Sequence, residues 1–130
     1  MKSKTRARAI KNGYRSGLED SVSQSLERQG VDFEYESTKI EWVDHKVRKY
    51  TPDFILPNGI IIETKGRFVA ADRRKHLEIK KQHPELDIRF VFSNSRNKLT
   101  KVSKTTYAKW CEQKGFKWAD KDIPKEWINE

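Results

Sequence analysis

Residues 51–65 read TPDFILPNGIIIETK, two apolar segments on either side of Pro57-Asn58-Gly59. Pro, Asn and Gly in this order are a strong turn signal, so the two segments are predicted to form a β-hairpin. If Leu56 pairs with Ile60, the register is symmetric about the turn. This register decides which polar side chains meet at the far end of the hairpin.

The predicted register sets Asp53 directly opposite Glu63, with Lys65 on the same face two residues further on. Two carboxylates about 5 Å apart across a strand pair destabilise it unless something neutralises them. A hard divalent cation, which prefers carboxylate oxygens, would do so. A solvated surface cluster, in which Lys65 alone relieves the repulsion, is the other interpretation, and a longer turn would rotate one carboxylate away. The large apolar residues around the charges favour a buried sheet that carries chemistry at one edge.

The chain has 130 residues and a formal net charge of +9, from 28 basic and 19 acidic side chains. Its length predicts one domain with a modest core. The basic excess indicates a polyanionic partner, and nucleic acid fits better than a membrane because no apolar run could span a bilayer. Cys111 is the single cysteine, which excludes a disulfide framework. Because the first fifteen residues contain no secretory signal, we expect a cytoplasmic protein.

Two basic surfaces are candidates for binding DNA phosphates. Residues 1–15 form a basic arm of a kind that often orders on nucleic acid, the alternative being a solubilising tail. A helix predicted from Asp72 to about His83 follows the carboxylate hairpin, although its charges could equally form a solvated face. The candidate DNA-binding residues are Arg6, Arg8, Lys11, Arg15, Arg67, Arg73, Arg74 and Lys75.

Glu19 lies near the start of a helix predicted over residues 16–29, which ends before Gly30. Ser16 and Glu19 have the spacing of a capping box, in which the Glu19 side chain would bond back to the Ser16 amide. On this spacing alone, Glu19 is interpreted as a structural residue.

The other predicted elements alternate between strands and helices. Strands are expected over residues 33–35, 39–43, 47–56, 60–65 and 88–92, and a helix is expected between Thr106 and Gly115. This order predicts an α/β fold with a single domain over residues 16–130. The tryptophans are interpreted as core or docking residues, and the three histidines, which lack metal-ligand spacing, as surface residues: His45, His76 and His83.

The Asp53, Glu63 and Lys65 group suits phosphodiester hydrolysis. Mg²⁺ held by two carboxylates lowers the pKa of a bound water, and a second ion can stabilise the leaving oxygen. The lysine can orient or deprotonate that water, or neutralise developing charge. The backbone carbonyl of Thr64 is a plausible further ligand.

These residues also carry a family resemblance. Pro-Asp followed by Glu-x-Lys, with a helical Glu upstream, resembles the PD-(D/E)xK nucleases. Longer blocks are similar to the bacteriophage endonuclease I family of Holliday-junction resolvases: RSGLED at 15–20, TPDF at 51–54, LPNGI at 56–60, ETKG at 63–66 and HPELDIR at 83–89. The similarity covers the chain from about Lys11 to its end.

The resemblance implies a PD-(D/E)xK nuclease-type mixed sheet flanked by helices, in a segment-exchanged homodimer. Residues of about 39–50 would form a bridging strand between the subunits. Each active site would combine Glu19 of one chain with Asp53, Glu63 and Lys65 of the other, which makes Glu19 catalytic rather than only structural. The turn at residues 44–46 is shorter than its family equivalent, so we expect a different bridge geometry.

The implied function is the resolution of four-way and other branched DNA by paired, metal-dependent cuts in the cytoplasm of an infected host. The cofactor would be Mg²⁺, replaceable by Mn²⁺, with two ions per site held by Glu19, Asp53, Glu63 and Thr64. Recognition would rest on junction shape and phosphates. The alternatives are a sequence-specific nuclease of the same superfamily and a DNA-binding protein without catalysis. The family can carry a lysine-rich tail beyond the position of Glu130, so tail-dependent DNA binding is left open.

Overall fold

The structure is a computed structural model that describes residues 13–130. One helix is followed by five strands, and helices and strands then alternate to the end of the described residues. In chain order the elements are α1 (Gly17–Arg28), β1 (Glu34–Tyr35), β2 (Ile40–Val43), β3 (Val47–Tyr50), β4 (Phe54–Ile55), β5 (Ile61–Lys65), α2 (Ala70–Gln82), β6 (Ile88–Phe92), α3 (Tyr107–Lys114), β7 (Lys117–Asp120) and α4 (Lys125–Ile128).

Five strands form a mixed sheet in the order β1-β4-β5-β6-β7, and β2 and β3 form a separate two-stranded sheet. The pairs β1–β4 and β4–β5 are antiparallel, whereas β5–β6 and β6–β7 are parallel. A parallel pair requires a crossover connection, and α2 supplies it between β5 and β6. The predicted α/β class, with a mixed sheet flanked by helices, is confirmed.

The register of the central hairpin is the predicted one. Phe54 pairs with Ile62 and Ile55 with Ile61, and the Leu56 amide donates to the Ile60 carbonyl at 2.9 Å. Gly59 has a φ of 88°, a backbone conformation that glycine adopts without strain. The turn therefore fixes which residues of β4 and β5 face each other.

The two faces of the large sheet bury separate apolar clusters. One cluster includes Ile61, Phe90 and Phe92 with residues of α2 and α3, and the other includes Ile62 and Val91 with residues of α1 and α4. Because side chains alternate along a strand, this assignment turns Glu63 and Lys65 toward α2. The site is thereby set between the central strand and a helix.

Arg89 holds the C-terminal helix against the sheet. Its side chain is 2% exposed and pairs with Asp87 at 2.7 Å and with Glu130, while its guanidinium lies 5.2 Å from the centre of the Trp127 ring. Trp127 is buried, so the prediction that it packs on the body is confirmed. The paired charges let an arginine lie in a core position at low cost.

Two predictions about elements were wrong, and one strand was missed. Residues 47–56 do not form one strand, because the chain changes sheets between Tyr50 and Phe54, where Pro52 has no amide hydrogen for a ladder. Asp72 does not cap α2: the helix starts at Ala70, and its N-cap Val69 makes no side-chain bond. The strand β7 was not predicted.

Helix-end predictions were more accurate. The Ser16 hydroxyl accepts from the Glu19 amide at the start of α1, and Thr106 caps α3, which ends at Gly115 with a φ of 79°. Both caps satisfy amides that a helix leaves unpaired. Within residues 13–130, no helix is long and apolar enough to cross a bilayer.

Candidate active site

The far end of the β4–β5 hairpin brings Asp53 and Glu63 together. The Asp53 amide donates to Glu63 Oε2 at 3.0 Å, and the Tyr50 hydroxyl donates to the same oxygen at 2.8 Å. Glu63 is only 3% exposed. The carboxylate is therefore a buried, oriented group, and the surface-cluster interpretation of the hairpin charges is wrong.

The Asp53 carboxylate lies beside Glu63, and within residues 13–130 it forms no ion pair with a cationic side chain. Its Oδ2 accepts from the Thr64 amide and from the Thr64 hydroxyl, each at 2.9 Å. Burial and the neighbouring Glu63 charge nevertheless raise the pKa of Asp53 to about 8, with a smaller contribution from Glu19. The metal-free pair therefore retains a proton near neutral pH, as two close carboxylates do.

Glu63 is the ionised member of the pair. Burial opposes its charge, but His76, Lys65 and the Asp53 amide together hold the pKa of Glu63 below its usual value. Burial and the Glu63 charge raise the pKa of Tyr50 well above its usual value, so its hydroxyl stays protonated and donates. The site thus contains one charged and one readily protonated carboxyl group.

Lys65 links the central strand to α2. Its Nζ lies 3.9 Å from Glu63 Oε1 and 3.8 Å from Asp72 Oδ1, with 19% of the side chain exposed. The predicted sharing of one face by Glu63 and Lys65 is confirmed. The ammonium group stands at the solvent side of the pair, where it can stabilise negative charge on a bound phosphate.

Glu19 has the local contacts of a helix cap and also acts on the carboxylate pair. Its Oε1 accepts from the Arg15 amide at 3.0 Å and from the Tyr35 hydroxyl at 3.2 Å. The side chain is 5% exposed, and its charge contributes to the raised pKa of Asp53 in the same chain. Its carboxylate therefore lies near the site while it bonds back to the residue before the cap.

The donor set suits a hard cation, although the geometry is not that of a preformed cage. Within residues 13–130, no three His, Cys, Asp or Glu side chains converge on one metal position. Two facing carboxylates are present, however, and their repulsion raises the pKa of Asp53. A divalent ion between oxygen ligands would remove that repulsion. Asp53, Glu63, Glu19 and the Thr64 carbonyl are the groups that would hold it.

The candidate DNA-binding residues lie in the N-terminal arm and near the start of α2. Of those in the arm, Arg6, Arg8 and Lys11 lie outside the described residues. Arg15 is exposed and pairs with Glu36 at 3.1 Å.

The remaining candidates surround the start of α2. Arg67 is exposed just beyond β5, the exposed Arg74 lies 3.8 Å from Asp44, and Lys75 lies 5.1 Å from the centre of the Tyr50 ring. Arg73 instead donates to the Phe68 carbonyl, which is a structural contact. Of these candidates, Lys75 lies next to the site, because the Tyr50 ring that it contacts belongs to the residue that donates to Glu63.

Tyr50 and His76 were not predicted as site residues. His76 was interpreted as a surface residue, but it is fully buried, with Nε2 3.6 Å from Glu63 Oε1. The available signal was its spacing from Ile79, because residues three apart share a helix face, and these two form the buried stripe of α2. Tyr50 carried no comparable signal, because its contact with Glu63 depends on the change of sheets.

The α/β fold sets Glu63 and Lys65 on its central strand beside Asp53, a set of groups suited to the phosphodiester hydrolysis of a nuclease. The comparison with protein families agrees: residues 1–130 match Phage endonuclease I. The chain belongs to the phage endonuclease I family, and it is therefore an enzyme of the endonuclease class.

Two curated relatives are similar over most of their length. The chain is 58% identical over 118 residues to "Endonuclease I" of Escherichia phage T7, covering 90% of this chain and 79% of the relative. It is 56% identical over 121 residues to "Endodeoxyribonuclease 1" of Enterobacteria phage T3, covering 90% of this chain and 78% of that relative.

Proposed function

We propose that this endonuclease is a magnesium-dependent endodeoxyribonuclease that resolves four-way (Holliday) and other branched DNA junctions by paired cuts. The single observation that carries the catalytic part is the buried Asp53–Glu63 pair beside Lys65. DNA as substrate is supported by the name of the phage T3 relative and by the net charge of +9. The phage origin of both relatives supports action in the cytoplasm of an infected host.

The carboxylates are the proposed metal ligands. Asp53 and Glu63 would hold Mg²⁺ with the Thr64 carbonyl and Glu19, and Mn²⁺ would replace it; the proposal includes two ions per site. When bound, the metal supplies an activated water and stabilises the leaving oxygen. Glu63 suits this role because its carboxylate is ionised and held in one orientation by Tyr50 and the Asp53 amide.

Lys65 acts on the substrate side of the pair. Its ammonium group can contact the scissile phosphate because its ion-pair partners within residues 13–130, Glu63 and Asp72, are 3.9 and 3.8 Å away and make no short hydrogen bond. It would neutralise charge that develops on the phosphate or orient the attacking water. Arg67, Arg74 and Lys75 extend the positive surface along the bound backbone.

Paired cuts require two active sites, and a homodimer with exchanged N-terminal segments would supply them. The β2–β3 hairpin supports this arrangement. Its antiparallel pairs, from Ile40–Tyr50 to Val43–Val47, could form equally between two chains if the turn opened. His45 in that turn has a φ of 60°, a conformation that costs energy for a residue other than glycine. Val43 and Val47, which flank the turn, are 53% and 62% exposed, and a second chain would cover them.

Opening the turn would move α1 onto the partner subunit. Glu19, which in the described chain acts on Asp53 of the same chain, would then act on Asp53 of the partner. Residues of about 39–50 would then bridge the two subunits, because β2 of one chain would pair with β3 of the other.

The junction preference is tested by comparing a cruciform plasmid with the same plasmid relaxed and linearised, in Mg²⁺. We expect cutting at the cruciform base to be at least about tenfold faster than cutting of the linear duplex, because a branch presents phosphates in an arrangement that duplex DNA lacks. Equal rates would contradict junction selectivity. Discrete fragments from linear DNA would indicate the sequence-specific alternative, and an RNA duplex serves as the control for an RNA-directed nuclease.

Segment exchange is tested by mixing two inactive chains, Glu19→Ala and Asp53→Ala. In an exchanged heterodimer one composite site is intact and the other lacks both groups, so cleavage should return as single nicks rather than paired cuts. Native mass spectrometry should first confirm that the subunits have mixed. Without exchange every site lacks one group, and the absence of nicking in a verified heterodimer would contradict the shared-site arrangement.

A further inference from the structure

His76 is a fully buried polar residue that the proposed chemistry does not use. On α2 its ring lies edge-on between Tyr50 and Phe90, with ring centres 5.3 and 5.0 Å apart. Neither ring nitrogen has a hydrogen-bond partner among the described residues. Leaving a buried donor unpaired costs about 1–3 kcal/mol, which an apolar side chain of similar size would avoid.

The His76 ring is aimed at one oxygen of Glu63. Nε2 lies 3.6 Å from Oε1, just beyond hydrogen-bond length. The other oxygen, Oε2, already accepts from Tyr50 and from the Asp53 amide. Apart from His76, the neighbour of Oε1 is Lys65 at 3.9 Å. A carboxylate oxygen has two lone pairs, so Oε1 can accept one hydrogen bond and still bind a cation.

We propose that His76 is a positioning residue for the metal site: its Nε2–H donates to Glu63 Oε1 and, with Tyr50 on the opposite oxygen, fixes the orientation of the carboxylate toward the bound ion. This inference rests on the proposed function, because it assigns Glu63 to a metal. A small closing of the 3.6 Å gap completes the bond. One donated N–H is sufficient, because the second lone pair of Oε1 is left for the cation.

The geometry explains why this position has an imidazole. A lysine would place a flexible charge in competition with the cation, whereas a planar imidazole held between two rings presents its donor in one direction. Phe90 pairs with Glu63 across β5 and β6, and it confines the ring together with Tyr50. The ring therefore has little freedom to turn its Nε2 elsewhere.

The test measures Mn²⁺ binding without DNA, by electron paramagnetic resonance of the free ion, for the wild type, His76→Leu and His76→Gln. We expect Leu to raise the Mn²⁺ Kd about tenfold, the size of effect that partners of ligating groups commonly have. Gln, whose side-chain amide can donate from a similar position, should stay within about threefold of the wild type. The KM for junction DNA should not change, because His76 does not reach the surface.

Urea unfolding in EDTA separates positioning from packing. We expect His76→Leu to remain folded in EDTA, with an apolar side chain in a buried position, so that a rise in its Mn²⁺ Kd does not reflect unfolding. If the Leu variant does not fold, His76→Met replaces it with the same expected rise in Kd. An unchanged Kd, or equal rises for Leu and Gln, would overturn the inference. A wild-type protein that binds no Mn²⁺ would overturn the proposed metal site itself, and with it this inference.

Discussion

Replacing Glu63 with Gln should reduce junction cleavage at least about 10³-fold while leaving junction binding within about threefold, because a neutral amide cannot provide the charge that a catalytic cation requires. The amide oxygen of Gln can still accept from Tyr50 and the Asp53 amide, so the local fold should persist. Single-turnover cleavage in Mg²⁺ and gel-shift binding in EDTA measure the two effects separately.

Glu112→Gln is the matched control for this substitution. Glu112 is exposed on α3, and its change removes the same charge from the chain without touching the hairpin. It should therefore cleave at the wild-type rate. Unchanged cleavage by Glu63→Gln would refute the assigned site, and a parallel loss of binding would mean that Glu63 acts mainly on the fold or on DNA.

The second large effect concerns stability without metal. Asp53→Asn should stabilise the metal-free protein at pH 9 by about 2 kcal/mol or more, because each unit of pKa shift corresponds to about 1.4 kcal/mol. The folded pKa of Asp53 is about 8 and the ordinary value is 3.8. The folded state therefore holds its proton more tightly than the unfolded state, and this contribution to stability is lost as the pH rises from about 4 to about 8. Asn cannot ionise, so the gap between the two proteins should widen over this range and then level off.

Urea unfolding in EDTA at several pH values measures this difference, with exposed Asp32→Asn as the control. If the unfolding free energies of the wild type and Asp53→Asn changed in parallel with pH, Asp53 and Glu63 would not repel each other in the folded protein. Adding Mg²⁺ should reduce the stability difference, since only the wild type gains binding energy, about 2.7 kcal/mol at a concentration of 100 times its Kd. A metal-independent difference at pH 9 would show that the cation does not relieve the repulsion.

The hairpin was predictable because its determinants are local. Pro57-Asn58-Gly59 sets the turn, and the turn sets the register that brings Asp53 to Glu63. The same locality explains the accurate helix ends at Ser16 and Gly115. These predictions required no knowledge of what packs against the segments.

The errors all involve contacts distant in sequence. The change of sheets after Tyr50 depends on where β2 lies, and the strand Lys117–Asp120 forms because β6 offers a parallel edge. Both are tertiary effects that short patterns do not encode. Asp72 is a residue type that often caps helices, but here its carboxylate lies beside the Lys65 ammonium group.

Glu19 shows how a local interpretation can be correct and incomplete. Its spacing from Ser16 predicted a capping role, and the helix start does use the Ser16 hydroxyl. Only the packing of α1 against the sheet brings its carboxylate near Asp53. His76 is the opposite case, because the charged residues around it on α2 concealed a buried position beside Glu63.

We propose that the Asp53–Glu63 pair cuts branched DNA with a divalent metal. The most direct measurement is cleavage of a cruciform plasmid by the wild-type protein in Mg²⁺ and in EDTA, with relaxed plasmid alongside. We predict linear product from the cruciform in Mg²⁺, formed by two cuts across the junction, and none in EDTA. Cutting in EDTA at the rate seen in Mg²⁺ would contradict metal dependence. Cutting of the relaxed plasmid at the rate of the cruciform would contradict junction selectivity.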